Sequence, residues 1–231
     1  MDHSVVVKVS HKTAASLLIT GDLDVGDFGI ARDANQIFDV LKAFPVETLL
    51  ELVDNHTTGL SIPVGECPQF GKIEVLASVP KHVLENSSCS FAQLGSLLKG
   101  HNNDSYDANR KFGEYYGKTA SYLGLINLDT EENSNGFTSS ALTTAFCNKD
   151  YDTQLQLIQR LSFRVGCIQI LLRRARYDSV NGYDVFKDGT VNTQRKKREG
   201  ISHLLEYMKR LGNVDLTKRI ESIYWEEPTC N

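Results

Sequence analysis

Four side chains near the middle of the chain have the types and spacing needed to read DNA bases: Tyr106, Asn109, Arg110 and Lys111. Arginine can pair with N7 and O6 of guanine, and asparagine with N6 and N7 of adenine, because the fork of each side chain matches that base edge. Such readout requires the side chains to lie on the front of one helix in the major groove. The chemistry predicted for this stretch is therefore direct base recognition.

The residues around this stretch predict two short helices joined by a polar turn. Ser90 can cap a first helix, whose apolar residues recur every three to four positions until Gly100 ends it. Residues 101–105 form the predicted turn. A second helix is predicted from Asp107, another capping residue type, and its apolar face leaves the four candidate base readers on a polar front.

A β-hairpin is predicted directly after the second helix. Residues 125–142 form two short strand-like runs around a polar tip that contains Asn135-Gly136. An earlier helix over residues 73–84 would complete the unit, so the order of elements predicts a winged helix. In such a unit the second helix lies in the major groove and the hairpin rests on the DNA backbone. The same order of elements occurs in domains that bind proteins, so a protein-interaction module is the alternative function.

Charge is distributed unevenly along the 231 residues. The formal net charge is -4, yet residues 1–60 hold nine acidic and four basic side chains, whereas residues 160–198 hold ten basic and three acidic ones. This polarity suits a chain that presents one face to phosphate groups. The apolar share of 41% and the charged share of 23% are ordinary for a globular protein.

The candidate phosphate contacts lie mainly in the C-terminal half, at the end of one predicted helix and just ahead of another. A long helix is predicted over residues 152–174, and another follows a run of four cations that begins at Arg195. Cations ahead of a helix oppose its dipole, and a phosphate backbone would offset them, although a solvated run is the open alternative. The full set is Lys118, Arg173, Arg174, Arg195, Lys196, Lys197 and Arg198.

The N-terminal part carries weaker signals. A strand is predicted over residues 5–9, a hairpin within residues 16–33, and two helices that break near Pro45. Residues 57–71 hold three glycines and two prolines and are the best candidate for a linker. The predicted division is therefore residues 1–70, a smaller α/β part of unknown role, and residues 71–231, a winged-helix DNA-recognition domain with C-terminal helices. The whole is predicted as a mainly helical α+β chain.

The order of four segments resembles a winged-helix recognition module of type II restriction endonucleases and related proteins. These segments are SFAQLGSLLKG, YDANRKFGEYYGKTASYLGLI, LIQRLSFRVGCIQILLRR and RKKREGISHLLEYMKRL, and the resemblance covers about residues 70–211. Arg110, Tyr115, Tyr116, Ala120 and residues 122–125 match the arginine-aromatic front and the Tyr-Leu-Gly-Leu exit of that module. The last helix departs from it, because Ile201, Leu205 and Tyr207 stand where more tryptophan is expected. The resemblance implies sequence-specific recognition of double-stranded DNA within a restriction system.

Catalytic motifs are weak or missing in the sequence. No Asp or Glu is followed by Lys two positions later, so the common Mg²⁺-dependent restriction site is absent in that form. Asp54-Asn55-His56 and His101-Asn102-Asn103 are the nearest candidates for a ββα-metal nuclease, and Asp22, Asp24 and Asp27 lack the spacing and the distal Glu of a calcium loop. We therefore expect no cofactor in this chain and no metal, with Mg²⁺ only if a nuclease domain is present. A compact endonuclease with an unrecognised site is the alternative to a separate nuclease domain or subunit.

Cysteine usage and hydropathy bear on the compartment. Five cysteines without paired spacing predict free thiols in a reducing environment. The start of the chain lacks the pattern of a signal peptide, and no apolar run approaches the roughly 18 residues of a membrane helix. A cytoplasmic protein without a membrane partner is expected.

Overall fold

The computed structural model describes residues 9–23, 28–56, 59–100, 105–129 and 135–227. Most of these residues lie in α-helices, and their strands form one three-stranded and one two-stranded sheet. The prediction of a mainly helical α+β chain is confirmed. No helix of this part of the chain has the length and apolar character to cross a bilayer. The strand predicted over residues 5–9 lies almost wholly outside the described residues.

Three helices open the described chain: α1 (His11–Thr20), α2 (Phe28–Ala43) and α3 (Val46–Asn55). The hairpin predicted within residues 16–33 is wrong, because the apolar residues of α1 recur at helical spacing and pack on one face. Gly21 ends α1 with a φ of 88°, a conformation that favours glycine. The predicted break near Pro45 is confirmed, since α3 begins directly after it.

A compact unit of helices and strands follows in the order α4 (Ile73–Glu85), β1 (Ser88–Ser90), α5 (Phe91–Lys99), α6 (Tyr106–Tyr122), β2 (Ile126–Asp129) and β3 (Gly136–Ser139). The three strands form an antiparallel sheet in the order β1-β3-β2. Buried Phe137 of β3 pairs with Cys89 on one side and with Leu128 on the other. The predicted helix pair and hairpin are therefore confirmed, whereas the hairpin tip at residues 130–134 and the turn at residues 101–104 lie outside the described residues.

Glycines set the distance between α5 and α6. A Cβ atom added at Gly95 would lie 1.9 Å from the carbonyl oxygen of Asn109, and one added at Gly113 would lie 2.0 Å from that of Phe91. Both values are far below a van der Waals contact, so only glycine permits this approach. One turn further along α6, Gly117 lies against the ring of Phe137. The backbone of α6 is thereby fixed against both α5 and the sheet.

The described C-terminal half contains five further α-helices and two short strands. They are α7 (Thr143–Cys147), α8 (Tyr151–Leu161), α9 (Gly166–Arg174), β4 (Val180–Asn181), α10 (Val191–Lys209), α11 (Val214–Glu221) and β5 (Ile223–Tyr224). The single helix predicted over residues 152–174 is wrong, because a 3-10 turn at Ser162–Arg164 and an extended Val165 separate α8 from α9. Arg164 holds this break by donating to the carbonyl oxygen of Leu18 at 2.7 Å.

The segment predicted as a linker packs between two helices. Its described residues 59–71 form one 3-10 turn at Val64–Glu66, and Cys67 is fully buried. The side chain of Thr119 on α6 accepts a hydrogen bond from the backbone N–H of Gln69, and Lys197 on α10 donates to the carbonyl oxygen of Cys67. This stretch therefore connects α6 to α10 through its own backbone.

One cluster of buried apolar side chains extends through the described chain. It includes Leu18 and Leu49 from the N-terminal helices together with Leu94 and Leu161. In this cluster α2 contacts α8 and α3 contacts α9. The core thus includes residues on both sides of position 70, and the predicted division into 1–70 and 71–231 stays a prediction.

Candidate functional site

The N-terminal half of α6 is the most exposed part of the helix pair. Ser105 caps it, since its hydroxyl accepts a hydrogen bond from the backbone N–H of Ala108 at 3.3 Å. The predicted cap, Asp107, lies instead in the first turn, where its negative charge interacts favourably with the positive end of the helix dipole. Tyr106 is 71% exposed, and Lys111 is exposed as well. Both side chains are therefore accessible to solvent at the start of α6.

A stripe of alternating charge runs along a partly buried face of α6, where the side chains of Arg110, Glu114 and Lys118 are 36%, 21% and 28% exposed. Glu114 accepts from Nζ of Lys118 at 2.7 Å and from Nη1 of Arg110 at 3.4 Å, so one carboxylate contacts both neighbouring cations. Arg110 also lies 3.8 Å from the carboxylate of Asp107. Each pair has the spacing of three or four residues that places side chains side by side on a helix. Arg110 and Lys118 are both predicted site residues, whereas Glu114 is not, although its spacing of four residues from each of them indicates the contact.

Asn109 does not belong to this charged face. The residue is only 7% exposed, and its carbonyl oxygen lies at the close approach of α5 and α6 beside Gly95. The Oδ1 atom has no hydrogen-bond partner among the described residues. The prediction that Asn109 reaches a base edge is therefore wrong in this conformation, because the helix crossing that glycine permits turns this position inward.

The C-terminal half of α6 contacts residues 65–72, the segment before α4. The hydroxyl of Tyr116 accepts from the backbone N–H groups of Gly71 and Lys72, both at 3.0 Å. Tyr122 donates to the carbonyl oxygen of Gly65 at 2.7 Å, and its burial raises the pKa of the phenol above its ordinary value. These contacts enclose two tyrosines in the C-terminal half of α6, whereas Tyr106 and Lys111 near its start are exposed.

The two candidate arginines at the end of α9 make contacts within the protein. Arg173 donates to the carbonyl oxygens of His56 at 2.8 Å and of Gly59 at 3.1 Å, which connects α9 to the end of α3. Arg174 reaches the carbonyl oxygen of Asp184 at 3.5 Å. Both side chains are partly exposed. Their role as phosphate contacts stays a prediction, and the structure adds a structural role for Arg173.

The basic run of residues 195–198 lies inside α10 and not ahead of it. Thr190 caps the helix by accepting from the backbone N–H of Thr193, so the predicted start of this helix is wrong. The four side chains point in different directions because successive positions on a helix are about 100° apart. Their surroundings therefore differ. Arg195 forms an ion pair with Glu227, and Arg198 lies over the ring of Trp225. Lys196 is exposed, whereas Lys197 is buried.

Lys197 cannot contact a DNA phosphate in this conformation. The residue is 7% exposed, and its amine donates to the carbonyl oxygen of Cys67 at 2.7 Å. Its prediction as a phosphate contact is therefore wrong, because the amine is enclosed between α10 and the segment before α4. Burial lowers the pKa of this amine below its ordinary value of 10.5, since desolvation disfavours the charged form.

Replacement of Lys197 by methionine is expected to remove a pH-dependent part of the stability. Because the folded-state pKa is lowered, the unfolded chain binds more protons than the folded chain between that pKa and 10.5. The free energy of unfolding should therefore rise with pH across this interval in the wild type relative to Lys197→Met. Urea denaturation of both proteins from about pH 7 upward measures the difference. Exposed Lys196→Met is the matched control, and parallel curves for Lys197→Met and the wild type would contradict the prediction.

The candidate catalytic groups do not assemble into a metal site in the described part of the chain. No cluster of three His, Cys, Asp or Glu side chains is found there. Both carboxylate oxygens of Asp54 pair with the guanidinium of Arg219, at 2.7 and 3.1 Å, which occupies the first member of the Asp54-Asn55-His56 candidate. Asp24, Asp27 and the stretch at residues 101–103 lie outside the described residues.

Comparison with known proteins finds no counterpart for this chain: no family model, no curated protein and no solved structure matches it.

Proposed function

We propose that residues 73–139 form a winged helix and that the chain binds double-stranded DNA through it in a sequence-dependent manner. The observation that carries this proposal is the order α4, β1, α5, α6, β2, β3 combined with the sheet order β1-β3-β2. That arrangement supports a function in which α6 enters the major groove and the β2-β3 hairpin lies against the backbone.

The exposed end of α6 supports the same proposal. Recognition helices of helix-turn-helix proteins contact base edges with their N-terminal residues. Tyr106, Arg110 and Lys111 occupy that end here, while the other end is covered by the segment before α4. In the proposed complex Arg110 reads a guanine and Lys118, two turns further along, approaches a phosphate. Asn109 and Lys197 have no role in it, because both are buried.

Replacement of Arg110 by alanine is expected to weaken binding to the preferred duplex about 10- to 100-fold, since a bidentate contact to guanine contributes about 1–3 kcal/mol. The preference for guanine at one position should fall with it. Fluorescence anisotropy with the preferred duplex and with single-base variants measures both effects. Arg32→Ala, which removes an exposed arginine from α2, is the matched control. Unchanged binding by Arg110→Ala would contradict the placement of α6 in the groove.

The narrower part of the proposal concerns a restriction system. It rests on the resemblance of residues 70–211 to recognition modules of type II restriction endonucleases. We propose that this chain supplies the specificity and that a separate domain or subunit cuts the DNA. The ion pair between Asp54 and Arg219 supports this division of labour. Asp54 belongs to the Asp54-Asn55-His56 candidate for a nuclease site, and both of its carboxylate oxygens already accept from Arg219.

Selection of bound duplexes from a random pool, at about physiological salt and with or without Mg²⁺, tests recognition and cutting together. An enriched motif that stays intact in Mg²⁺ is the expected result. Cleaved ends would contradict the division of labour and place an active site in this chain. Binding that ignores sequence and disappears at moderate salt, or no enrichment, would contradict specific recognition and favour a protein-interaction module.

A further inference from the structure

Glu114 occupies the middle of the charged stripe on α6, and its side chain is 21% exposed. A surface that approaches phosphate groups would ordinarily carry a neutral or basic side chain at such a position. Its carboxylate lies between Arg110 and Lys118 and contacts both. A carboxylate that faces DNA is repelled by phosphates, and a hydrogen-bond donor on the DNA would offset this repulsion further. Among the base edges of the major groove, cytosine offers its N4 amino group to an acidic side chain.

We infer that Glu114 is a specificity-determining residue that accepts a hydrogen bond from the N4 amino group of a cytosine. This inference rests on the proposed function and deepens it, because it names part of the DNA sequence that α6 reads. Arg110 and Glu114 act as a paired reader in which the arginine contacts guanine and the carboxylate contacts cytosine.

The spacing of the two side chains limits where the cytosine lies. Residues four apart on a helix have Cβ atoms about 5–6 Å apart, whereas successive bases of one strand are separated by about 3.4 Å. The cytosine is therefore expected one or two base-pair steps from the guanine that Arg110 reads. The contacts of Glu114 with Arg110 and Lys118 support this placement of the cytosine, because they keep the three side chains aligned along the helix before DNA binds.

The two cations have a second effect on the carboxylate. Lys118 lies 2.7 Å and Arg110 lies 3.4 Å from its oxygens, so their charges offset the repulsion between Glu114 and the DNA backbone. Each carboxylate oxygen has two lone pairs, which leaves acceptor capacity for an amino group of a base. The stripe can therefore approach DNA while it retains one acceptor for specificity.

Parallel selections with the wild type and with Glu114→Gln test the inference. The wild type should enrich a cytosine one or two steps from the guanine read by Arg110. Glu114→Gln should lose this preference about 10- to 100-fold at that one position and keep the others, because glutamine no longer offers two acceptors and favours adenine. Glu51→Gln, an exposed position on α3, is the matched control and should select the wild-type motif.

A modified base provides an independent readout. N4-methylcytosine at the selected position replaces the N4 hydrogen that faces the major groove, so it should weaken binding of the wild type about tenfold or more and leave Glu114→Gln unaffected. Glu114→Ala repeats the test with a shorter side chain, and circular dichroism establishes that each variant is folded.

The outcomes separate this inference from the proposed function. If the wild type enriches a motif and Glu114→Gln enriches the same motif with the same strength, the carboxylate has no reading role and the inference is overturned. A Glu114→Gln variant that binds all duplexes more tightly by one common factor would also overturn it, since the carboxylate would then act only by repulsion. Failure of the wild type to enrich any motif would instead contradict the proposed function.

Discussion

Replacement of Gly113 by alanine is expected to destabilise the folded chain by about 3 kcal/mol, at the upper end of the usual cost of overpacking. The added Cβ would lie 2.0 Å from the carbonyl oxygen of Phe91 and 2.6 Å from the backbone nitrogen of Gly95. Both obstacles belong to the backbone of α5, so a side-chain rotation cannot relieve them. The higher helix propensity of alanine, about 1 kcal/mol, offsets only part of the cost.

Urea denaturation followed by circular dichroism measures this change. Gly65→Ala is the matched control, because a Cβ atom there meets nothing within 4 Å, and its effect should stay within about 0.5 kcal/mol. Equal stability of Gly113→Ala and the wild type would show that α5 and α6 can separate without cost. The variant should also lose the proposed DNA binding, since α6 would no longer be fixed against α5.

Replacement of Asp54 by alanine is expected to cost about 3 kcal/mol of unfolding free energy. Asp54 on α3 pairs through both oxygens with Arg219 on α11, and the side chains are only 9% and 6% exposed. Removal of one member leaves the guanidinium buried with less compensation, which is the costly way to break a buried ion pair. A second cation, Arg176, lies 3.0 Å from Asp54 and loses its contact too.

Asp215→Ala is the control within the same network. Its carboxylate also contacts Arg219, at 3.0 Å, but the side chain is 57% exposed. Solvent screens this pair, so the expected cost is below about 1 kcal/mol. Thermal or urea denaturation of the two variants measures the loss of unfolding free energy in each. Equal losses would mean that burial does not decide how much Asp54 contributes to stability.

Local patterns in the sequence predicted the middle of the chain well. Ser90, Gly100 and the apolar spacing between them predicted α5, and both its N-cap and its glycine end are confirmed. The polar run around Asn135-Gly136 predicted the hairpin that forms β2 and β3. These features depend on capping, turn formation and periodicity within a few residues, which is why they can be read without knowledge of the fold.

Predictions that required knowledge of distant partners were less successful. The hairpin within residues 16–33 is wrong because the apolar face of α1 forms a helix that packs in the core. The helix predicted over residues 152–174 is broken where Arg164 reaches across to Leu18. The predicted start of α10 is wrong because the basic run lies inside the helix, which Thr190 caps further upstream.

For the candidate site, residue type alone determined that α6 carries cations and an aromatic side chain near its start. Only the tertiary structure decided which of them is accessible. The close crossing at Gly95 and Gly113 turns Asn109 inward, and the segment before α4 encloses Lys197. The physical reason is that accessibility depends on contacts between residues far apart in sequence, whereas capping, periodicity and charge are local properties that the sequence displays directly.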